Sequence, residues 1–251
     1  MSMNTTLVIN PKGGSGKTTV ATNLASHFAA GAVPTTVMDY DPQGSSLNWL
    51  RLRAPHAPKI HAANGAPAKP GQLRSIAMHV PADTRQLVID APAGASGLLL
   101  QELLSRADCI IIPVAPAAMD IHATANFIRD LLLSGRLRVR NIRLSVVANR
   151  VRSSMPVYQP LERFLNSLSL PLLTRLSDSD TYLKAAETGV GIFEMDPLVA
   201  AAERDQFMPI VAWVDPQHSS KAASAPRVIE LPRAAVQARG TISVPAFLRR
   251  S

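Results

Sequence analysis

The feature that most constrains this chain is a glycine-rich turn between an apolar strand pattern and a helical pattern. Residues 7–10 are mostly apolar and β-branched, residues 11–16 contain three glycines, and apolar residues at helical spacing follow from Lys17. Glycines let backbone N–H groups turn toward a bound anion, and a helix that starts there offers its positive end to the same anion. The segment therefore predicts a phosphate-binding loop.

The polar residues of this loop suit the binding of a nucleotide phosphate chain. Lys17 is placed to reach the terminal phosphates, and the Thr18 hydroxyl is placed to ligate Mg²⁺. We therefore expect the cofactor to be bound by Lys12, Gly13, Gly14, Ser15, Gly16, Lys17, Thr18 and Thr19.

Short apolar runs alternate with helical patterns along the chain, which is typical of an α/β fold. Runs such as residues 109–114 are apolar throughout, which indicates burial on both faces. The pattern predicts a single domain with a mainly parallel, twisted sheet and helices on both faces, the P-loop NTPase architecture. The predicted strands are 5–10, 35–39, 86–90, 109–114 and 142–149, with 59–61 as a weaker candidate. The predicted helices are 17–30, 45–53, 72–79, 97–105, 120–134, 157–167, 180–188 and 197–214, and residues 54–71 are predicted to be an irregular surface segment.

Composition excludes several classes of protein. The single cysteine, Cys109, excludes a disulfide framework and a multi-cysteine metal or iron–sulfur site, and the six histidines show no metal-ligand spacing. No apolar run reaches the length of about 18 residues that a membrane span requires. The first residues also lack the basic flank and cleavage site of a signal peptide. A cytoplasmic protein is expected.

The net charge of +8 favours a polyanionic partner. Half of this charge lies in residues 215–251, which hold six Lys or Arg residues against two acidic ones. This segment is rich in Ser, Ala, Pro and Arg and has no clear periodicity, which is typical of a flexible tail. We therefore divide the chain into a folded domain, 1–214, and a flexible basic tail, 215–251.

The phosphate loop departs from the common pattern G-x-x-x-x-G-K-[ST], because Pro11 stands where that pattern has its first glycine. It fits the variant K-G-G-x-G-K-[ST] in full, with Lys12 as the additional lysine. In this the chain resembles the ParA/MinD family of deviant Walker A ATPases, and most of all the ParA-type partition and positioning ATPases. Further stretches resemble the family's first switch (39–45), Walker B strand (87–92), I-P-x-x-P-x-x-x-D segment (112–120), N-R-V turn (147–151) and C-terminal Y-x-x-A-x-x-x-G segment (182–193).

Two stretches differ from the family's common pattern. The Walker B strand is followed by Ala-Pro-Ala-Gly rather than by a second proline, and the arginine nearest Ser177 is Arg175. The resemblance otherwise covers about residues 4–213, which is the whole predicted domain.

The resemblance implies roles for individual residues. It implies ATP and Mg²⁺ as cofactors, Thr18, Asp39 and Asp90 around the metal, and Asn149 on the adenine side of the nucleotide. It implies that Lys12, Lys17 and Asp41 are catalytic.

Asp41 is expected to orient the attacking water. Lys12 is expected to cross a dimer interface to the partner's phosphates. Together these roles imply a homodimer with ATP and slow hydrolysis, which a ParB-like protein or a cargo adaptor stimulates.

The function of an ATPase that dimerises with ATP depends on the surface to which the dimer binds. Arginines in two groups could bind DNA phosphates without reading sequence, although they are equally typical of a solvated loop and a helix end. These are Arg136, Arg138, Arg140, Arg143, Arg150 and Arg152. The first hypothesis is therefore a nucleoid-associated ATPase that positions a plasmid, a chromosome or a protein assembly.

Two alternatives stay open at this point. One is MinD-like recruitment to a membrane through the apolar and basic residues 242–250, which Pro245 interrupts. Membrane binding is the less favoured of the two surfaces for that reason. The other alternative is a small-molecule P-loop ligase.

Overall fold

The computed structural model describes residues 3–66, 74–152, 159–167 and 170–215, and its strands form one parallel sheet. The strands are β1 (Asn4–Val8), β2 (Thr35–Asp39), β3 (Ile60–Asn64), β4 (Gln86–Asp90), β5 (Cys109–Val114), β6 (Arg143–Val151) and β7 (Leu172–Ser177). Their order across the sheet is β3-β2-β4-β1-β5-β6-β7, and every neighbouring pair is parallel. The predicted parallel α/β architecture is confirmed.

Helices cover both faces of this sheet. They are α1 (Lys17–Ala30), α2 (Ser45–Leu52), α3 (Arg74–Ala77), α4 (Gly97–Arg106), α5 (Ala118–Leu133), α6 (Arg136–Val139), α7 (Gln159–Ser167), α8 (Asp180–Thr188) and α9 (Ala201–Val214). One buried cluster joins the sheet to α4, α5, α6 and α7, and a second joins it to α1, α8 and α9. Within the described ranges, no helix has the length and apolar character needed to cross a bilayer.

Most predicted elements agree with the structure, and the bounds of β2, β4, β5, α1 and α8 coincide with the prediction. Two elements were not predicted, β7 and α6. The strand β7 lies at the edge of the sheet, is only partly buried and pairs with β6 through two register shifts. Such a strand lacks the continuous apolar run by which the central strands were recognised.

Other differences lie at element ends. The predicted irregular segment 54–71 contains β3, which begins one residue after the start of the weak candidate 59–61 and ends three residues beyond it, at Asn64. The last helix begins at Ala201 rather than at Pro197. Parts of two predicted helices and most of the predicted tail lie outside the described residues. These parts are residues 72–73, 157–158 and 216–251.

The register of the central strands determines where the site lies. Because the sheet is parallel, the loops after β1, β2 and β4 all leave from the same edge. Asp90 at the end of β4 lies opposite Val8 on one side and opposite Asp39 on the other. The loops that follow these three strands therefore start at the same level and side by side.

A buried ion pair fixes the far end of α2. Arg53, which follows α2, donates to Glu194 at 2.6 Å, and the two side chains are 7% and 10% exposed. Its guanidinium also donates to the carbonyl of Gly189 at 3.0 Å and stacks over the Trp49 ring, with its central carbon 4.9 Å from the ring centroid. The helix is thereby joined to the loop between α8 and α9.

We expect the substitution Glu194→Ala to lower the free energy of unfolding by about 3–5 kcal/mol, because it leaves the buried charge of Arg53 without its partner. The matched control is Asp178→Ala, which breaks the ion pair of Arg152 and Asp178, whose side chains are 75% and 36% exposed. That change should lower the free energy of unfolding by less than about 1 kcal/mol. Urea unfolding of both variants measures the difference, and equal losses would contradict a special role for the buried pair.

Candidate nucleotide site

The phosphate loop occupies the connection between β1 and α1, and its conformation requires glycine. Gly14 has a φ of 74° and Gly16 a φ of 93°, a region that other residues avoid. A Cβ atom on Gly16 would lie 1.9 Å from Nδ2 of Asn149. By contrast, a Cβ on Gly13 or Gly14 would meet no atom within 4 Å, so open space lies over this part of the loop.

Asn10 holds the start of the loop. It is fully buried, and its Nδ2 donates to the Pro113 carbonyl at 2.7 Å and to Oγ1 of Thr124 at 3.0 Å. Its Oδ1 accepts from the backbone N–H of Lys12 at 2.9 Å. Asn10 was not predicted as a site residue. The only signal was an amide side chain at the end of an otherwise apolar strand pattern.

Two further contacts hold the body of the loop. Nδ2 of Asn149, at the end of β6, donates to the Ser15 carbonyl at 3.0 Å. The N–H of Gly94, in the turn after β4, donates to the Pro11 carbonyl at 3.0 Å. Asn149, predicted to lie on the adenine side of the nucleotide, thus contacts the phosphate loop itself.

The two lysines of the loop lie in different environments. Lys17 is buried, and its Nζ donates to the carbonyl of Lys12 at 3.0 Å. Burial lowers the pKa of Lys17, while the negative charges of Asp90 and Asp41 oppose that shift. The side chain of Lys12 is 40% exposed, and its Nζ lies 3.7 Å from Oδ1 of Asp120 in the first turn of α5.

Asp90 joins three segments through one carboxylate oxygen. Its Oδ2 accepts a hydrogen bond from Oγ1 of Thr18 at 2.8 Å and another from Oγ of Ser46 in α2. The side chain is almost fully buried, and this burial raises the pKa of Asp90 to about 7. The nearby charge of Asp39 raises it further, whereas the two hydroxyl hydrogen bonds and Lys17 act in the opposite direction. Ser46 was not predicted as a site residue.

Asp39 organises the start of the loop after β2. Its Oδ2 accepts from the N–H groups of Ser46 at 2.9 Å and Leu47 at 3.2 Å, and its Oδ1 accepts from the N–H of Asp41 at 2.9 Å. Burial raises the pKa of Asp39, and these backbone hydrogen bonds lower it. Asp41 is half-buried and its Oδ1 accepts from the N–H of Gln43 at 2.9 Å.

These residues fit a Mg²⁺–nucleotide complex. Ser15 Oγ is buried and has no hydrogen-bond partner among the described residues, and the open space over Gly13 and Gly14 lies at the start of α1. The described residues contain no group of three or more His, Cys, Asp and Glu that could hold a metal ion alone. Mg²⁺ is typically bound by one or two carboxylates together with phosphate oxygens and water, and Thr18, Asp39 and Asp90 suit such a shared site.

The arginines predicted to bind DNA, as far as their side chains are described, lie near both ends of β6. Arg143 begins β6 and Arg150 lies near its end, so the two are about 23 Å apart along the strand. Arg143 donates to the carbonyls of Trp213 at 2.6 Å and Val214 at 3.2 Å, which joins β6 to the end of α9. The exposed residues among those whose side chains are described are Arg140, Arg150 and Arg152, the last of which pairs with Asp178. The side chains of Arg136 and Arg138, in α6, lie outside the described part.

Comparison with known proteins assigns the fold and this loop to one family. Residues 6–192 match the family described as CbiA, the CobQ/CobB/MinD/ParA nucleotide binding domain. The chain belongs to this family. The match contains the phosphate loop, both site aspartates that end strands, and Asn149.

Several proteins similar to this chain are named for distribution or partition. The chain is similar to maintenance of carboxysome distribution protein A of Halothiobacillus neapolitanus, with 25% identity over 197 residues that span 76% of this chain and 87% of the relative. It is also similar to the chromosome-partitioning ATPase Soj of Thermus thermophilus, with 25% identity over 209 residues that span 70% of this chain and 84% of the relative. Protein ParA of Rhizobium radiobacter is 30% identical over 114 residues, 45% of this chain and 50% of that protein.

Solved structures share the fold at lower identity. MinD of Pyrococcus horikoshii OT3, complexed with Mg-ADP, superposes with a TM-score of 0.63 at 16% identity, covering 89% of this chain and all of that one. An ATP complex of a Cyanothece McdA variant gives a TM-score of 0.61 at 14% identity, covering 84% of this chain and 96% of that one. At these identities the likeness is one of fold.

The raised pKa of Asp90 predicts a specific pH dependence of stability. A carboxyl group whose pKa is higher in the folded protein than in the unfolded one stabilises the fold at low pH, and this stability is lost as the pH rises through the folded pKa. For Asp90 the pKa rises from 3.8 to about 7, so between about pH 4 and pH 7 its ionisation should lower the free energy of unfolding by about 4 kcal/mol.

The measurement compares thermal unfolding of the nucleotide-free protein and its Asp90→Asn variant, without Mg²⁺, at pH 5 and pH 8. The amide cannot ionise, so the variant should gain stability relative to the parent at pH 8, and this difference should shrink at pH 5. A difference that does not change with pH would contradict the assignment.

Proposed function

We propose that this protein is an ATPase that dimerises when it binds ATP, and that the dimer binds DNA and positions a cargo inside the cell. The observation that carries the proposal is the contrast between the two lysines of the phosphate loop. Lys17 is buried and contacts its own loop, whereas the ammonium group of Lys12 stands at the surface beside Asp120. A surface cation at the rim of a phosphate site is suited to contact a phosphate held by a second copy of the chain.

The loop residues have separate tasks in this proposal. Bound Mg²⁺–ATP supplies the terminal phosphoanhydride bond that is cleaved. Lys17 and the backbone N–H groups of residues 13–16 bind the phosphates, and Thr18 orients toward the metal with Asp39 and Asp90. Asp41 holds the attacking water. Catalysis of this kind depends on positioning and on stabilising charge.

Apolar side chains near the phosphate loop support a partner on this edge. Leu98, in the first turn of α4, is 83% exposed, and Met119, in the first turn of α5, is 77% exposed. Both helices follow strands whose carboxyl ends form the edge that bears the site. Exposed apolar groups around a site are typical of surfaces that another protein covers.

The proposed biological role draws on the relatives. Their names refer to carboxysome distribution and to chromosome partitioning, and this supports a positioning function for the ATP-dependent dimer. In this proposal a ParB-like protein or a cargo adaptor stimulates hydrolysis and so releases the dimer. Because turnover is slow without that partner, the rate of hydrolysis determines how long the dimer persists.

DNA is the proposed surface to which the dimer adheres. The chain has a net charge of +8, and two exposed cations lie near opposite ends of β6, Arg140 before its start and Arg150 near its last residue. Contacts to phosphates alone give binding that is independent of sequence and that weakens steeply with salt. Association with the nucleoid follows from this binding.

We expect the Asp41→Ala protein to be a dimer with Mg²⁺–ATP and a monomer with Mg²⁺–ADP, because loss of the water-orienting carboxylate preserves the ATP state. The double variant Lys12→Ala, Asp41→Ala should bind ATP through Lys17 yet stay monomeric. Light scattering coupled to size exclusion measures the mass in each state. A mass that is independent of nucleotide would contradict ATP-dependent dimerisation. A dimer of the double variant with ATP would contradict the role of Lys12 in the interface.

We expect the purified protein to bind random-sequence DNA with ATP and not with ADP. The logarithm of the affinity should fall linearly with the logarithm of the salt concentration, and Arg140→Ala or Arg150→Ala should reduce that slope by about 1 if the residue contacts a phosphate. Co-sedimentation with DNA and, in parallel, with anionic liposomes measures both.

The liposome arm separates the alternatives. Binding to liposomes with ATP, and not to DNA, would replace the DNA proposal by recruitment to a membrane. Binding to neither would contradict both and favour a small-molecule ligase.

A further inference from the structure

Tyr40 is the residue between Asp39 and Asp41, and its side chain reaches away from the site to another helix. The residue is 1% exposed, and its hydroxyl donates to Oε1 of Glu102 in α4 at 2.9 Å. One face of its ring lies against Gly65, where a Cβ atom would come within 2.6 Å of the ring. The ring is thus held on both its polar end and its apolar face.

The backbone of Tyr40 is held as firmly as its side chain. Its N–H donates to the carbonyl of Asp90 at 2.9 Å, which continues the pairing of β2 with β4 by one residue. The next residue, Asp41, begins the loop that leads to α2. Tyr40 therefore joins the start of this loop both to the sheet and to a neighbouring helix.

Glu102 belongs to a helix that starts beside the phosphate loop. The turn between β4 and α4 contains Gly94, whose N–H donates to the carbonyl of Pro11. The hydrogen bond from Tyr40 to Glu102 therefore links the loop that carries Asp41 to a helix whose preceding turn contacts the phosphate loop. The hydrogen bond from Ser46 to Asp90 is a second link between the segment after β2 and the end of β4.

We infer that Tyr40 is a positioning residue for the hydrolysis proposed above, acting through its hydrogen bond to Glu102. The bond holds the loop after β2 at a fixed distance from α4 and so places the carboxylate of Asp41 over the phosphate loop. The inference rests on the proposed ATPase function and adds a residue whose side chain does not touch the nucleotide.

Physical considerations favour positioning over mere packing. A hydrogen bond from a hydroxyl to a carboxylate is stronger than one between neutral groups, and its direction is better defined. A water-orienting group displaced by about 1 Å can cost about a hundredfold in rate. The ring packs on Gly65 and fills space, whereas the hydroxyl group fixes the position of the loop relative to α4.

The test uses the full chain and variants that keep the ring. Tyr40→Phe removes only the hydroxyl, and Glu102→Ala removes the acceptor. Each should lower kcat for ATP on the order of tenfold and leave KM within about twofold, because the phosphate loop and its lysine are untouched. The double variant should be no slower than either single one, since both remove the same bond. Glu102→Gln keeps an acceptor oxygen and should restore part of kcat.

Two matched controls separate positioning from structure. Tyr182→Phe removes the hydroxyl of another buried tyrosine, one with no hydrogen-bond partner among the described residues, and should leave kcat unchanged. Arg106→Ala removes a charged neighbour of Glu102, a guanidinium that lies 3.5 Å from the same oxygen, and should also leave kcat unchanged.

The inference is overturned if Tyr40→Phe turns over ATP at the parent rate, if the effects of the two single changes multiply, or if only KM and the melting temperature change. The parent protein and Asp41→Ala, assayed in parallel, report on the proposed function. A parent that does not hydrolyse ATP overturns that function, whereas an active parent with an equally active Tyr40→Phe overturns only the role of Tyr40.

Discussion

The arrangement of the site depends on the buried carboxylate of Asp90. Its position is set by the register of the sheet, in which it lies opposite Asp39 and beside the end of β1. Hydroxyl groups from the first turns of two helices, Thr18 in α1 and Ser46 in α2, both donate to the same oxygen. A buried carboxylate that lacks hydrogen-bond donors destabilises the folded protein. The two hydroxyl groups are therefore held in position beside Asp90. One residue thereby orients the phosphate loop and the loop that carries Asp41 toward each other.

The second helix of this arrangement is fixed at both ends. Its start is bonded to Asp39 and Asp90, and its end is held through Arg53, whose ion pair with Glu194 is buried in the loop after α8. A helix held in this way transmits a displacement at one end to the other, because its backbone hydrogen bonds make it stiff. Loss of the contact between Asp90 and Ser46 would therefore also displace the end of α2 that Arg53 follows.

Much of the fold and the core of the site could be predicted from local patterns. Continuous apolar runs identified the central strands, and glycines beside lysine and threonine identified the phosphate loop, because both signals lie within a few consecutive residues. Contacts between distant segments could not be predicted. Asn10 and Ser46 were not recognised as site residues, since their partners come from other parts of the chain, and a polar residue at a strand or helix end has many possible roles. For the same reason the arginines near β6 looked alike, although Arg143 is bonded to the end of α9.

The proposed dimer requires Lys12 to exchange a partner in its own chain for a phosphate bound by another chain. In the structure described, its ammonium group is paired with Asp120 at 3.7 Å. The most direct measurement is a crystal structure of the Asp41→Ala protein grown with Mg²⁺–ATP. We expect two copies facing each other across their phosphate loops, with each Lys12 withdrawn from Asp120 and bonded to a phosphate of the partner's nucleotide. A nucleotide-bound chain in which Lys12 still pairs with Asp120 and no second copy faces the loop would contradict it.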